Sequence, residues 1–140
     1  MTFTATIPGD PRGKGSVRIF GGRATKDPKT AAYMATCIYA LRAEWRGRAP
    51  IEEPTRVAID AYLARPAKLV PNPRARKQQP PVEAFPAPCK PDSDNIAKSI
   101  LDSLTQAGVI IDDCRVVELV VRKWYCAIGQ ASCAVVEVGW

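Results

Sequence analysis

The stretch that decides the fold is residues 90–98, which read Lys90-Pro91-Asp92-Ser93-Asp94-Asn95-Ile96-Ala97-Lys98. Apolar residues recur from there at helical spacing: Ile96, Ala97, Ile100, Leu101, Leu104 and Ala107. Asp92 or Ser93 can cap the start of a helix, and Gly108 after the last apolar position is a typical C-terminal stop. We therefore predict one amphipathic helix over residues 94–107.

The segment after this helix is expected to bring a second acidic pair close to the acids at the start of the helix. The helix carries the chain about 20 Å at 1.5 Å per residue, and Gly108 allows a turn. Residues 109–111 are apolar and β-branched, which favours an extended conformation. If they run back along the helix, the chain recovers roughly 15 Å. Asp112 and Asp113 would then come close to the start of the helix.

Clustered carboxylates repel one another, and a bound cation relieves that repulsion. Carboxylate oxygens are hard ligands that select Mg²⁺, with Mn²⁺ as the alternative. Such ions activate water and stabilise the leaving oxygen of a phosphodiester. The acidic residues therefore predict metal-dependent chemistry on nucleic acid.

Lys98 lies one turn after Asp94 on the same face of the predicted helix. Two roles are open for its side chain. It can form an ion pair with Asp94 or Asp102, or it can contact the scissile phosphate and stabilise developing charge.

These segments resemble the RusA-type crossover-junction endodeoxyribonucleases, also called Holliday-junction resolvases. The resembling residues are 92–98, 102–108, Asp112-Asp113 and Val116-Val117, and the start of the chain through Ile7-Pro8-Gly9 and residues 11–15. The resemblance implies a catalytic and metal-binding set of Asp92, Asp94 and Asp113, with Lys98 as a further catalytic residue. Asp112 competes with Asp113 for its role.

The resemblance also implies a function. It predicts a Mg²⁺-dependent endonuclease that hydrolyses phosphodiester bonds in four-way (Holliday) DNA junctions, acts in DNA recombination and repair, and works as a homodimer. Two alternatives stay open, namely a nuclease of other branched or flapped DNA and a non-catalytic DNA-structure-binding protein. The second is disfavoured, because a pure binder has little use for carboxylates that face phosphates.

The composition narrows the possible chemistry. The chain has 140 residues, which suits one domain over residues 1–140, and it contains no histidine, which removes the triads that depend on this residue. Five cysteines lack any C-x-x-C spacing, so neither a disulfide framework nor a zinc site is expected. We expect no membrane partner and a cytoplasmic location, because the sequence shows neither a long apolar run nor a signal peptide.

The net charge of +6 is compatible with a polyanionic partner. Residues 64–91 hold eight prolines, six Lys or Arg residues and one acid, a composition that predicts a mobile or polyproline-like loop. This loop is either a solvated linker or a DNA-guiding arm, with Phe85 as a candidate for base stacking. The predicted DNA-binding residues are Arg12, Lys14, Arg18, Arg74, Arg76, Lys77 and Lys90.

The remaining periodicity predicts an α+β domain, a small mixed sheet packed by two helices with the Pro-rich basic loop at the active face. The predicted strands are 2–7, 57–63, 116–125 and 132–138, with a small hairpin of 17–20 and 23–25. The last two long strands are expected to form a hairpin around residues 128–131. The first helix follows Asp27-Pro28 and buries Ala31, Met34, Ile38, Leu41 and Trp45.

Asp60 and Glu118 are alternative members of the metal shell, although acids on strands usually face solvent.

Overall fold

In this computed structural model, the described residues are 1–14, 18–25 and 27–140, with the main chain alone at 18–20 and 23–25. The elements in chain order are β1 Thr2–Pro8, β2 Arg18–Phe20, β3 Arg23–Thr25, α1 Pro28–Trp45, β4 Thr55–Leu63, β5 Phe85–Pro86, α2 Ser93–Gln106, β6 Val116–Tyr125 and β7 Cys133–Gly139. Short 3-10 turns occupy Ala67–Leu69 and Asp113–Arg115. No helix within these described ranges is long and apolar enough to cross a membrane.

The main sheet has five strands in the order β1-β7-β4-β6-β5. β4 and β6 are parallel, and the other neighbours are antiparallel. The predicted α+β class with a mixed sheet and two helices is therefore confirmed. The predicted small hairpin is also confirmed, because β2 pairs with β3 across Gly21 and Gly22; Val17 lies outside the described residues.

The predicted hairpin of the last two long strands is wrong. β4 lies between β6 and β7 and pairs with both of them. Alternating apolar residues predict that each segment is a strand, but they do not identify its neighbour. β4 buries Val57, Ile59 and Ala61 and can accept a strand on each edge.

Both helices pack on one face of the sheet. The core joins Phe3 and Ile7 of β1 and Ile59 of β4 with Ile100 and Leu104 of α2. The opposite face of the sheet exposes polar side chains, including those of Thr4, Arg56 and Glu137. A functional site that uses α2 is therefore built on the helical side or at the ends of the strands.

The first helix begins as predicted but buries a different stripe. Asp27 caps it by accepting a hydrogen bond from the main-chain N–H of Lys29 at 3.2 Å. Its buried residues are Tyr33, Cys37, Leu41 and Trp45. Of the predicted face only the last two are buried, and Ala31 is exposed. An i, i+4 row that includes tyrosine and cysteine faces the sheet instead.

Candidate active site

Helix α2 presents the acids of the 90–98 stretch at its first turn. The helix begins at Ser93, close to the predicted start, and Asp92 is the N-cap residue with an extended backbone. The Asp92 carboxylate accepts a hydrogen bond from the Lys90 ammonium group at 2.6 Å. That contact, helped by the charge of Lys123, holds the pKa of Asp92 below its usual value. The carboxylate is therefore ionised and partly exposed at neutral pH.

Lys123 of β6 positions the chain before Asp92, a role that the sequence interpretation missed. Its ammonium group donates to the main-chain carbonyls of Cys89 at 2.5 Å and Pro91 at 3.0 Å. Its own carbonyl accepts from the N–H of Ala87 at 3.0 Å. The sequence contained a signal for this role. Lys123 lies two residues before the buried Tyr125 on the same strand, so both side chains are on the face of the sheet that carries the helices. A lysine at such a position needs acceptors.

Asp94 and Lys98 are both exposed on successive turns of α2. Asp102, one proposed partner of Lys98, instead forms an ion pair with the Lys14 ammonium group. Within the described part of the chain, neither Asp94 nor Lys98 forms an ion pair. Both side chains are thus available to a ligand in solvent.

The two acids after α2 differ in their surroundings. Asp112 Oδ1 accepts the main-chain N–H of Cys114 at 2.8 Å and caps the 3-10 turn that begins at Asp113. This hydrogen bond lowers the pKa of Asp112. Asp112 therefore has a structural task, whereas the Asp113 side chain is exposed in the first turn. This difference supports Asp113 rather than Asp112 as the functional acid.

The expectation that the acids of α2 and Asp113 meet within one chain is not met. Across residues 1–14, 18–25 and 27–140, no group of three or more acidic or cysteine side chains could hold a metal ion. The first turn of α2 lies beside Lys123, near the end of β6, whereas Asp113 comes shortly before Val116, the first residue of β6. Ten strand residues span about 30 Å. The acids are thus at opposite ends of the same strand.

The segment that was expected to return the chain takes another path. Gly108 turns with a φ of 75° as predicted. Residue Ile110 then forms an isolated parallel bridge with Ile51, and Ile51 donates its N–H to the Val109 carbonyl at 2.9 Å. Val109 and Ile110 are fully buried. Their burial against Ile51 holds this segment at the C-terminal end of α2.

The loop after β1 is packed against the first turns of α2. The N–H of Lys14 donates to the Asn95 carbonyl at 3.0 Å. A Cβ atom on Gly13 would lie 2.6 Å from the Asn95 Cβ atom, so this close approach requires glycine. The loop therefore places Lys14 on the acidic helix.

Two further acids that were considered for the metal shell face away from α2. Asp60 accepts from the Trp124 indole N–H at 2.9 Å and from Arg122 at 3.3 Å. Glu118 pairs with Arg56 at 3.3 Å. Along β4, Arg56 and Asp60 alternate with buried residues that face the core. Both ion pairs therefore lie on the open face of the sheet. Their surroundings give no support to a role as metal ligands.

A comparison with known families completes this description. The family model for the endodeoxyribonuclease RusA matches residues 8–135, which include the acids, Lys98 and Lys123. The chain belongs to the RusA endodeoxyribonuclease family. A comparison with curated proteins gives no match.

In this RusA-family chain, Arg65 orders the Pro-rich loop. Its guanidinium group donates to main-chain carbonyls of Leu69, Pro81, Val82, Glu83 and Cys126 at distances of 2.5 to 3.2 Å. Arg65 also lies over the ring of Phe85, 4.8 Å from its centroid. The loop is thus folded around one cation, which was not foreseen from its composition.

The surroundings of Phe85 do not support base stacking. Its ring packs on Tyr125 with a centroid distance of 5.2 Å, and Arg65 covers another part of it. β5, which begins at Phe85, pairs with the end of β6. Phe85 therefore anchors the loop to the sheet.

The predicted DNA-binding residues fall into three groups. Arg74, Arg76 and Lys77 are exposed in a turn that is closed by a hydrogen bond from the Asn72 N–H to Gln79 Oε1 at 2.7 Å. Three others form ion pairs: Arg12 with Asp27, Lys14 with Asp102, and Lys90 with Asp92. The side chain of Arg18 lies outside the described residues.

Proposed function

We propose that this protein is a metal-dependent endonuclease that hydrolyses phosphodiester bonds in four-way DNA junctions, as part of DNA recombination and repair. The observation that carries the proposal is the first part of α2, where the ionised Asp92 and the exposed Asp94 lie beside an exposed Lys98. Family membership supports the endonuclease class.

The donor set fits magnesium. Mg²⁺ keeps several waters and commonly takes one or two carboxylates together with phosphate oxygens of the substrate. Asp92 and Asp94 can supply two such carboxylates without a complete protein cage. When bound, the ion would activate water and offset charge on the phosphodiester. Mn²⁺ has the same ligand preference and is the expected substitute.

The side chains around these acids have distinct proposed tasks. Lys98 is proposed to contact the scissile phosphate and to stabilise the charge that develops there. Lys90 and Lys123 hold Asp92 and the chain before it. Lys90 is mainly exposed, so a phosphate can compete for it as DNA enters.

We assign Asp113 to the same catalytic set and propose that it acts across a homodimer. Its position at the other end of β6 separates it from Asp92 and Asp94 of its own chain. A second copy can bring its Asp113 to the α2 helix of the first. Two sites of this kind on one dimer suit a four-way junction, whose symmetry offers equivalent strands to both.

The basic loops are proposed to bind the DNA backbone. Arg74, Arg76 and Lys77 project from an ordered turn, and Lys14 lies on α2. Contacts of this kind position a nucleic acid without reading its sequence. Lys14 is packed against the first turns of α2, which supports phosphate binding next to this helix.

A nicking assay with end-labelled synthetic DNA tests this function. The purified chain should cut a four-way junction in the presence of Mg²⁺ or Mn²⁺ and leave it intact in the presence of a chelator. A linear duplex of the same sequence serves as the matched substrate control. Faster cutting of a flap than of the junction would favour the other branched-DNA nuclease, and tight binding without any cutting would favour the non-catalytic binder.

A further inference from the structure

Arg65 joins parts of the chain that are far apart in sequence. Its hydrogen bonds fall on both arms of the turn at residues 72–79, which we call the basic turn, and on the end of the sheet. The accepting carbonyls belong to Leu69, Pro81, Val82, Glu83 and Cys126. A guanidinium group has five N–H donors in one plane. These contacts use all five, so the charge of Arg65 is engaged inside the loop.

The basic turn is closed by its own side chains. Gln79 Nε2 donates to the Lys77 carbonyl at 2.9 Å, and the Arg74 N–H donates to Asn72 Oδ1 at 3.0 Å. Arg74, Arg76 and Lys77 are exposed, and within the described part of the chain none of them forms an ion pair. The turn is therefore a small ordered body that presents three cations to solvent.

Two other contacts support the arms of this turn. The Val82 carbonyl also accepts the N–H of Ile128 at 2.9 Å. Leu69 packs on the small apolar cluster that contains Tyr125. Each of these contacts holds one arm, whereas Arg65 donates to both arms and to the sheet. Arg65 is therefore the contact that sets how the basic turn stands relative to the domain.

The same end of the sheet also holds the first acid of the site. β5, which begins at Phe85, connects the loop to the end of β6. Lys123 of β6 donates to the Pro91 carbonyl at 3.0 Å, directly before Asp92. The basic turn and Asp92 are thus attached to one end of β6, the first through Arg65 and the second through Lys123.

We infer that Arg65 is a positioning residue for DNA binding, which holds the basic turn in the arrangement that meets the phosphates. The inference rests on the proposed function and names the residue that organises its DNA contacts. A loop that reaches its binding arrangement only part of the time lowers the apparent affinity by that fraction. A preformed loop avoids this loss. Arg65 thus raises the affinity through the exposed cations and not as a phosphate contact of its own.

Fluorescence anisotropy with a labelled four-way junction, without Mg²⁺, measures binding apart from cleavage. Arg65→Lys keeps the charge but replaces a planar set of five donors with three donors on one atom. Its Kd should rise about tenfold. The slope of log affinity against log salt should stay at the wild-type value, because the cations that release counterions remain. Arg56→Lys, on the open face of the sheet, is the matched control and should bind like the wild type.

A second background separates positioning from a general loss of stability. When Arg74, Arg76 and Lys77 are replaced by alanine, Arg65→Lys should change the Kd by less than about twofold, because the groups that it positions are gone. An equal effect of Arg65→Lys in both backgrounds would overturn the inference. So would wild-type affinity in the folded variant, or a salt slope reduced by roughly 0.9, which would make Arg65 a phosphate contact.

Limited digestion with trypsin tests the order of the basic turn without DNA. Cleavage within residues 74–77 should be faster in Arg65→Lys than in the wild type and in Arg56→Lys, because a protease samples the opened form. Equal cleavage rates would contradict the inference.

Circular dichroism checks the fold of Arg65→Lys and of a second variant, Arg65→Met. If neither folds, Arg65 is needed by the whole domain and the inference falls. A chain that shows the expected binding effects but does not cut the junction would refute the proposed nuclease and leave the inference standing. Cleavage by the wild type with unchanged binding in the Arg65 variants would do the reverse.

Discussion

The Lys123 ammonium group donates to the Pro91 carbonyl at 3.0 Å and thereby links the end of β6 to the residue before Asp92. A second bond, to the Cys89 carbonyl, holds the same group on the turn that leads into α2. A strand residue thus controls where the first acid of the site stands.

We expect Lys123→Met to lower single-turnover junction cleavage about tenfold or more, since small displacements of catalytic groups have large effects on rate. The Mg²⁺ concentration for half-maximal rate should rise, because Asp92 is no longer held in place. Lys29→Met, which removes an exposed lysine of α1 that has no proposed contact with DNA, is the matched control. An unchanged Mg²⁺ dependence with only a lower melting temperature would mean that Lys123 is purely structural.

Asp92→Asn, Asp94→Asn and Asp113→Asn should each abolish cleavage. Junction binding should persist or tighten, because each change removes a negative charge near the DNA backbone. Gel-shift and nicking assays on the same preparations separate the two effects, with Glu44→Gln of α1 as the control that also loses one charge. Full activity in Asp113→Asn with an inactive Asp112→Asn would exchange the roles of these two residues.

Co-expression of two inactive variants tests whether Asp113 acts across the dimer. A mixed dimer of Asp94→Asn and Asp113→Asn contains one site in which every acid is intact if the sites are shared between copies. Nicking should then reappear in the mixture although each variant alone is inactive. If each site lies within one chain, the mixture stays inactive.

Lys98→Ala should strongly lower the single-turnover rate at saturating protein, because the lysine is proposed to stabilise charge during the chemical step. Junction affinity should change little. Rate measurements at increasing Mg²⁺ and protein concentrations check this. If high Mg²⁺ or protein concentrations restore the wild-type rate, Lys98 contributes to binding and not to the chemical step.

Replacing Arg74, Arg76 and Lys77 with alanine should weaken junction binding and flatten its salt dependence. Each lost phosphate contact on duplex DNA changes the slope of log affinity against log salt by roughly 0.9. Arg74→Lys with Arg76→Lys keeps the charge and should keep the slope. The saturated single-turnover rate should stay near the wild-type value in both proteins, since the acids are elsewhere.

The local elements could be predicted from the sequence because they depend on nearby residues. The helix predicted at 94–107 is observed at Ser93–Gln106, and the alternation in β4 correctly gave its buried face. The order of strands could not be derived in this way, since β6 and β7 are separated by β4. The position of Asp113 was misjudged for a similar reason, because the contact of Ile110 with Ile51 is non-local.

The basic loops show the same limit. The positive charge of residues 64–91 was evident from the sequence. The role of Arg65 was not, because the five main-chain carbonyls to which it donates come together only after folding. A count of charges cannot separate such an internal cation from the exposed Arg74 or Lys77.

The contact of Gly13 with Asn95 leaves no space for a side chain between the loop and the helix. Asn95 directly follows Asp94, and Lys14 directly follows Gly13. Under the proposed function, a phosphate bound by Lys14 would therefore be linked to Asp94 through two adjoining backbones. Substrate binding at the loop and the alignment of this acid would then be coupled.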